Sequence, residues 1–182
     1  ATALEYCEGN LGLRVHTATD GKGYEAIIIP DGGFRNFYSP DSTVEKEYED
    51  GIIRNNLQTS LDGPGVFIFA ISKAPKSILG LMDHFNINLN QVDYFILHQA
   101  NKILNEKIRN KLKLPTDKVP YSLDEYGNTS SSSIPLTLVT RLRDKLISEK
   151  CKIVACGFGV GLSWGTVYLE TGKIACPEII MV

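Results

Sequence analysis

The centre of the chain reads Asp93-Tyr94-Phe95-Ile96-Leu97-His98-Gln99-Ala100-Asn101, a short apolar run followed by polar residues. The run Val92–Leu97 is typical of a strand that is buried on both faces of a sheet. The polar cluster that follows it lies at the carboxyl end of the strand, where open α/β sheets place their active sites. The cluster is therefore a candidate site. A histidine that caps the strand end through a backbone hydrogen bond explains it equally well.

Helix-like and strand-like segments alternate on both sides of this run. Apolar spacing predicts a helix over Val66–Phe85, either kinked at Pro75 or divided there into two abutting helices. Further helices are predicted at Ile103–Leu112 and Ser132–Ile147. The other predicted strands are Ala1–Glu8, Leu13–Thr19, Tyr24–Ile29, Ile153–Cys156 and Thr166–Glu170. This order predicts an α/β fold, a three-layer α/β/α arrangement around a mixed five-stranded sheet.

The length of 182 residues suits one domain. We predict a domain over residues 1–170 and a C-terminal extension over 171–182. Residues 34–60 are polar and are expected to form a surface excursion with little regular structure. Ala1 begins directly in a predicted strand, as in a chain cut from a longer one.

Composition and charge narrow the function classes. A net charge of −2 argues against a protein that binds nucleic acids or membrane surfaces. Apolar runs are far shorter than a membrane span, and no signal peptide is visible. The four cysteines, Cys7, Cys151, Cys156 and Cys176, form no Cys-x-x-Cys pair. We therefore expect no metal site and a reduced, cytoplasmic setting.

Two later segments are also candidates for chemistry. The segment Gly127–Pro135 begins with a glycine that permits close approach to a ligand, and Asn128 follows it. Its asparagine and hydroxyl residues are also ordinary in turns and helix caps, which composition alone favours. In Gly157–Gly165, alternate glycines can expose backbone N–H groups to an anion. A glycine-rich hairpin explains that segment equally well, and the strand after it excludes a dinucleotide fingerprint.

The three segments in this order resemble the C-terminal motifs of β-ketoacyl-acyl carrier protein synthase III, a thiolase-fold condensing enzyme. The matching residues are 93–101, 125–130 and 157–165 with Trp164, and the similarity covers about residues 1–170. The resemblance implies one half of a thiolase fold. It also implies an acyltransferase of fatty acid biosynthesis, which condenses an acyl thioester with malonyl-acyl carrier protein by decarboxylation. Acyl-CoA and malonyl-acyl carrier protein would be substrates, with no cofactor.

The resemblance assigns roles to particular residues. His98 and Asn128 would belong to a Cys-His-Asn triad and donate hydrogen bonds to a thioester oxygen. The backbone N–H of Val160 would join the N–H of the cysteine in a second oxyanion hole, although glycine is usual at that position. Asn101, Gly159 and Gly161 are candidates for substrate binding.

The resemblance also implies partners. The nucleophilic cysteine would lie in an N-terminal half that this sequence lacks, and none of the four cysteines matches its position. The chain alone is therefore expected to be inactive, and the full-length parent is expected to be a homodimer. The family often has an arginine where Ile103 stands, so Lys102 and Lys107 are the candidate face for acyl carrier protein. A solvated helix surface is the alternative for these lysines.

Two other functions remain open at this point. One is a non-catalytic domain that binds acyl-pantetheine or a partner protein. The other is a fragment of a thiolase-fold polyketide or ester synthase. His16 and His84 match no motif and are expected to be structural.

Overall fold

The structure is a computed structural model that describes residues 2–3, 6, 8–9, 12–48 and 51–180. The described strands are β1 (Arg14–Thr19), β2 (Ile27–Ile28), β3 (Lys46–Glu47), β4 (Ile53–Arg54), β5 (Ser60–Leu61), β6 (Tyr94–Leu97), β7 (Lys152–Gly159) and β8 (Ser163–Glu170). The α-helices are α1 (Gly63–His84), α2 (Lys102–Lys111), α3 (Leu123–Tyr126), α4 (Ser133–Arg141) and α5 (Arg143–Ser148). Short 3-10 turns are Gly21–Ala26, Pro40–Thr43, Leu89–Gln91, Thr116–Lys118 and Ser130–Ser132.

A central sheet has the strand order β1-β8-β7-β6. β6 pairs with β7 in parallel, so that Leu97 lies beside Cys156. β7 and β8 form an antiparallel hairpin, and β1 adds to β8 in the antiparallel sense. The predicted mixed sheet is therefore confirmed, with four strands among the described residues. The predicted strand Ala1–Glu8 lies largely outside them.

Helices cover both faces of the sheet because successive strand residues point to opposite sides. On one face, Phe95 and Leu97 of β6 pack with residues of α1 and α2 such as Ile78 and Ile108. On the other face, Ile96 packs with a cluster from the α5 region and the tail, which contains Leu142, Leu146 and Cys176. The three-layer α/β/α arrangement is confirmed.

Three predicted elements differ from the structure. One continuous helix spans Gly63–His84 with Pro75 buried inside it, so the expectation of two abutting helices is wrong. The predicted helix Ser132–Ile147 is divided at Leu142, whose φ of −119° and ψ of 5° interrupt the helical backbone. The predicted strand Tyr24–Ile29 is a strand only at Ile27–Ile28. Its first three residues belong to the 3-10 turn Gly21–Ala26, at whose start the Asp20 carboxylate accepts a hydrogen bond from the Lys22 N–H.

Helix α1 is long and apolar enough to cross a membrane, with a mean hydropathy of 1.4 over 18 residues. Its apolar side is nevertheless the centre of the main core. Ala70, Ala74 and Ile78 are fully buried against the sheet. A helix buried in the core of a domain has the same composition as a span, so the packing explains the hydropathy here.

Residues 171–180 contain no helix or strand. The Ile174 N–H donates to the Leu146 carbonyl at 3.0 Å, and Cys176 is buried in the second cluster. This part of the predicted extension therefore lies against α5.

The side chain of Gln99 joins the end of β6 to the segment that leads into α3. Gln99 is fully buried, and its Nε2 donates to the Leu97 carbonyl at 2.8 Å. Its Oε1 accepts from the Ser122 N–H at 3.1 Å. One carboxamide therefore sets the position of residues 122–133 relative to the polar cluster after β6.

We expect the substitution Gln99→Leu to destabilise the fold. It leaves the Ser122 N–H and the Leu97 carbonyl buried without this partner, at a cost of about 1–3 kcal/mol for each group. Urea unfolding followed by circular dichroism measures the loss. The matched control is Gln91→Leu at an exposed position, which should change the free energy of unfolding by less than about 0.5 kcal/mol. Equal effects of the two substitutions would contradict this role of Gln99.

Candidate active site

The position of His98 is set by its backbone. Its N–H donates to the Cys156 carbonyl at 2.9 Å, which extends the parallel pairing by one residue beyond β6. Its carbonyl accepts from the Ala100 N–H at 2.9 Å and from Asn105 Nδ2 at 3.1 Å. The hydrogen bonds at the end of the strand are thus made by the backbone of His98, and they leave its imidazole ring free to contact other groups.

The ring of His98 lies between two segments that the sequence singled out. Its Nδ1 is 2.7 Å from the hydroxyl of Ser133 in α4. Its edge meets the ring of Phe158 in β7, with centroids 5.5 Å apart and planes at 80°. Burial lowers the pKa of the His98 imidazole, and the nearby backbone carbonyl of Ser130 opposes this with a smaller effect. Since the ordinary histidine pKa is about 6.5, this lowering of the pKa favours the neutral ring at pH 7.

Asn128 lies in the loop between α3 and the Ser130–Ser132 turn. Gly127 ends α3 with a φ of +65°, a conformation that suits glycine. The Oδ1 of Asn128 accepts from the Ser130 N–H at 3.0 Å, and the residue is exposed. No group in the described ranges accepts a hydrogen bond from its Nδ2. The amide N–H₂ is therefore the end that is available to a ligand.

The turn between β7 and β8 exposes a backbone donor. The Val160 side chain is 66% exposed, and its N–H has no hydrogen-bond partner within the part of the chain that the structure describes. The next residue, Gly161, has a φ of +138°, and an added Cβ would collide with Ser163, whose backbone nitrogen would be only 2.7 Å away. Glycine at 161 is thus a requirement of this turn, whereas Gly159 has open space around it. The segment is therefore a glycine-rich hairpin, and its turn also exposes the Val160 N–H.

These contacts place the three sequence segments at one edge of the sheet. Ser133 contacts the His98 ring, the Ser130 carbonyl lies near it, and Asn128 is two residues before Ser130. Phe158 also contacts the ring, and Val160 is two residues after it. A shallow cavity of about 420 Å³ adjoins this edge. It is lined by residues 17–19, 157–159 and 163–165.

Asn101 has a structural role in addition to its predicted one. It is the N-cap of α2, and its Oδ1 accepts from the Leu104 N–H at 2.8 Å. This hydrogen bond fixes the start of α2. The Nδ2 of Asn101 makes no hydrogen bond among the described residues and is available for the predicted contact with substrate.

The exposed surface of α2 carries less free charge than its sequence suggests. Arg109 forms a bidentate ion pair with Glu106 and also donates to the Leu114 carbonyl at 2.7 Å. Lys102 and Lys107 are exposed, and they lie on either side of Ile103, which is 70% exposed. The candidate carrier face therefore combines two cations with an apolar side chain.

The described cysteines are unsuited to nucleophilic attack. Cys151, Cys156 and Cys176 are buried, and burial raises the pKa of the Cys156 thiol to about 11. Burial also raises the pKa of Cys151. Cys7 lies outside the described residues. Within the ranges that the structure covers, no group of three His, Cys, Asp or Glu side chains could hold a metal ion.

Three residues at the site were not singled out from the sequence: Ser133, Phe158 and Asn105. Ser133 was interpreted as part of a capping run, yet neither Thr129 nor Ser132, the residues at the cap positions, makes a side-chain cap hydrogen bond. Nothing in a run of four serines identifies the one that contacts His98. Only the packing of α4 against β6 does so.

Part of the chain matches a known protein family. Residues 82–171 match the family described as 3-Oxoacyl-[acyl-carrier-protein (ACP)] synthase III C terminal. The β-ketoacyl-[acyl-carrier-protein] synthase III of Clostridioides difficile (strain 630) is 36% identical over 159 residues, which are 87% of this chain and 45% of that protein. The matched residues are thus similar to the C-terminal part of synthase III proteins.

Solved synthase III structures show the same fold. A crystal structure of a 3-oxoacyl-(acyl-carrier-protein) synthase III has a TM-score of 0.83 at 30% identity, covering 92% of this chain and 49% of that one. The 3-oxoacyl-(acyl-carrier protein) synthase of Burkholderia xenovorans LB400 has a TM-score of 0.78 at 33% identity, with 88% and 44% covered. The resemblance to the C-terminal half of a thiolase-fold synthase III is confirmed. The chain spans about half the length of these relatives.

The turn that exposes Val160 can be tested with a pair of glycine substitutions. We expect Gly161→Ala to lower the free energy of unfolding by about 1–3 kcal/mol, because a Cβ there meets both a positive φ and Ser163. Gly159→Ala adds the same methyl group in open space and should be neutral or slightly stabilising. Thermal and urea unfolding of the two variants decide the matter. Similar losses in both would show that the conformation at 161 is not the constraint.

The titration of His98 can be followed by NMR in the folded chain. We expect a pKa below about 6.5, because burial disfavours the charged ring. The unfolded chain then binds this proton more readily than the folded one, so the free energy of unfolding falls as the pH drops through about 6.5. Comparison with His98→Asn isolates this contribution from those of other groups. A pKa at or above 6.5 would contradict the interpretation.

Proposed function

We propose that this chain is the C-terminal domain of a 3-oxoacyl-acyl carrier protein synthase III-like acyltransferase, and that His98 and Asn128 complete a Cys-His-Asn triad. The observation that carries the proposal is the half-buried ring of His98 at the end of β6, which contacts Ser133 of α4 and Phe158 of β7. The free N–H₂ of Asn128 in the adjoining loop supports it.

The first step assigned to these residues is decarboxylation of a malonyl thioester. The bond between the carboxylate carbon and the α-carbon breaks, and carbon dioxide leaves. The electron pair of the broken bond stays with the α-carbon and gives an enolate, whose negative charge lies on the thioester oxygen. A neutral imidazole N–H and an amide N–H₂ can both donate to that oxygen. Each of the two donors is expected to lower the barrier by about 3 kcal/mol, the value typical of one oxyanion donor.

The second step is carbon–carbon bond formation. The enolate carbon attacks the carbonyl of an acyl group held as a thioester on a cysteine, and the cysteine thiolate leaves. The negative charge on the attacked carbonyl oxygen needs its own donors. We assign this role to the exposed Val160 N–H together with the N–H of the nucleophilic cysteine, and only the backbone of Val160 takes part.

The cysteine itself is assigned to an N-terminal half. The buried thiols of Cys151, Cys156 and Cys176 support this assignment, as does the half-length match to the relatives. The chain alone is then inactive, because the enolate has no acyl group to attack. The full-length protein would be a homodimer and would be located in the cytoplasm.

The substrates proposed for the full-length protein are acyl-CoA and malonyl-acyl carrier protein. The relatives are named as synthases that act with an acyl carrier protein, which supports this proposal. Acidic carrier helices would meet Lys102 and Lys107 on α2, with Ile103 as an apolar contact between them. Gly159, Gly161 and Asn101 would border the path of the pantetheine arm to His98.

A fusion protein tests the catalytic assignment. The N-terminal half of the Clostridioides difficile relative is joined to this chain, and release of carbon dioxide from malonyl-acyl carrier protein is measured together with condensation. We expect His98→Ala and Asn128→Ala each to slow decarboxylation by about 10²–10³-fold. The chain without the added half should give no condensation product.

Matched controls are His84→Ala and Asn110→Ala, which change the same residue types at exposed positions outside the site. Both should keep the rate of the parent fusion. A folded fusion that binds malonyl-acyl carrier protein but releases no carbon dioxide would support a non-catalytic binding domain instead. Condensation by the isolated chain at a comparable rate would contradict the need for the N-terminal half.

A further inference from the structure

The hydroxyl of Ser133 has two hydrogen-bond contacts at the site. Its Oγ is 2.7 Å from His98 Nδ1, and it accepts from the Gln99 N–H at 3.3 Å. Ser133 is only 1% exposed, so water does not compete for these contacts. Its carbonyl accepts from the Thr137 hydroxyl at 2.8 Å, which holds the residue in the first turn of α4.

A count of donors and acceptors gives the direction of the contact with His98. A serine hydroxyl has one hydrogen to donate and two lone pairs that accept. The Gln99 N–H can only donate, so it occupies one of the lone pairs. Among the groups that the structure describes, the hydroxyl hydrogen has one hydrogen-bonded acceptor, the Nδ1 of His98. Nδ1 is then the ring nitrogen without a hydrogen.

We propose that Ser133 is a positioning residue that holds neutral His98 in the tautomer with its hydrogen on Nε2. This inference rests on the proposed function for its purpose, since a neutral imidazole has a single N–H to donate. With the hydrogen on Nε2, the nitrogen that is not bound to Ser133 is the one that can donate to a thioester oxygen. The opposite tautomer would present a lone pair to the enolate and repel it.

The carbonyl of Ser130 is the competing group. It lies close enough to the ring to raise the pKa of His98, and it would favour a hydrogen on the nitrogen that faces it. This carbonyl already accepts the backbone N–H of Ser133 at the end of the 3-10 turn. We therefore assign the larger effect on the tautomer to the hydrogen bond of 2.7 Å between Nδ1 and the Ser133 hydroxyl.

The tautomer can be read directly by ¹⁵N NMR of the histidine ring nitrogens in this chain, at a pH where His98 is neutral. We expect His98 to carry its hydrogen on Nε2. In Ser133→Ala, the ratio of the Nε2–H form to the Nδ1–H form should fall by at least about fivefold, the effect of one ordinary hydrogen bond. Ser133→Cys keeps nearly the same volume with a much weaker donor, and it provides the test if Ser133→Ala does not fold.

Ser131→Ala, at an exposed position in the same serine run, is the matched control and should leave the ratio unchanged. In the active fusion, Ser133→Ala should lower kcat for decarboxylation with little change in KM. An Nδ1–H tautomer in the parent chain, or an unchanged ratio in the Ser133 variants, would overturn the proposal. The NMR readout needs no turnover, so a fusion that fails to release carbon dioxide would count against the proposed function alone.

Discussion

The parallel pairing of β6 with β7 is the constraint on which the site depends. The ladder between these strands continues to the bond from the His98 N–H to the Cys156 carbonyl, so the backbone of His98 cannot move away from β7 without breaking this hydrogen bond. Because parallel neighbours end at the same edge, the same pairing brings Phe158 to the imidazole ring. The glycine turn that follows β7 is therefore presented beside His98 by the sheet itself.

The environment of His98 combines apolar burial with a few directed hydrogen bonds. Burial against groups such as Phe158 removes water and favours the neutral ring. The buried carboxamide of Gln99 then ties the end of β6 to Ser122, ahead of the loop that carries Asn128. Rigid supporting contacts of this kind keep hydrogen-bond donors in place, which matters because a stabilising donor must already be positioned when charge develops.

Local patterns in the sequence predicted the elements that carry the site, but they missed the contacts that orient it. The strand Val92–Leu97 and the helix after it are strongly patterned, and the structure has both within a few residues. The segment Tyr24–Ile29 is rich in strand formers, but only Ile27–Ile28 form a strand, because the first half of the segment belongs to the 3-10 turn that Asp20 caps. Ser133 could not be separated from its serine neighbours, because only a contact 35 residues distant in sequence gives it a role.

The burial of Cys151, Cys156 and Cys176 also affects how such a protein responds to electrophiles. A thiol alkylates as its thiolate, and these three are shielded within the two core clusters. They offer reagents such as iodoacetamide no accessible, ionised sulfur. In a complete synthase, rapid covalent labelling at any of these three positions would therefore signal that the domain had opened.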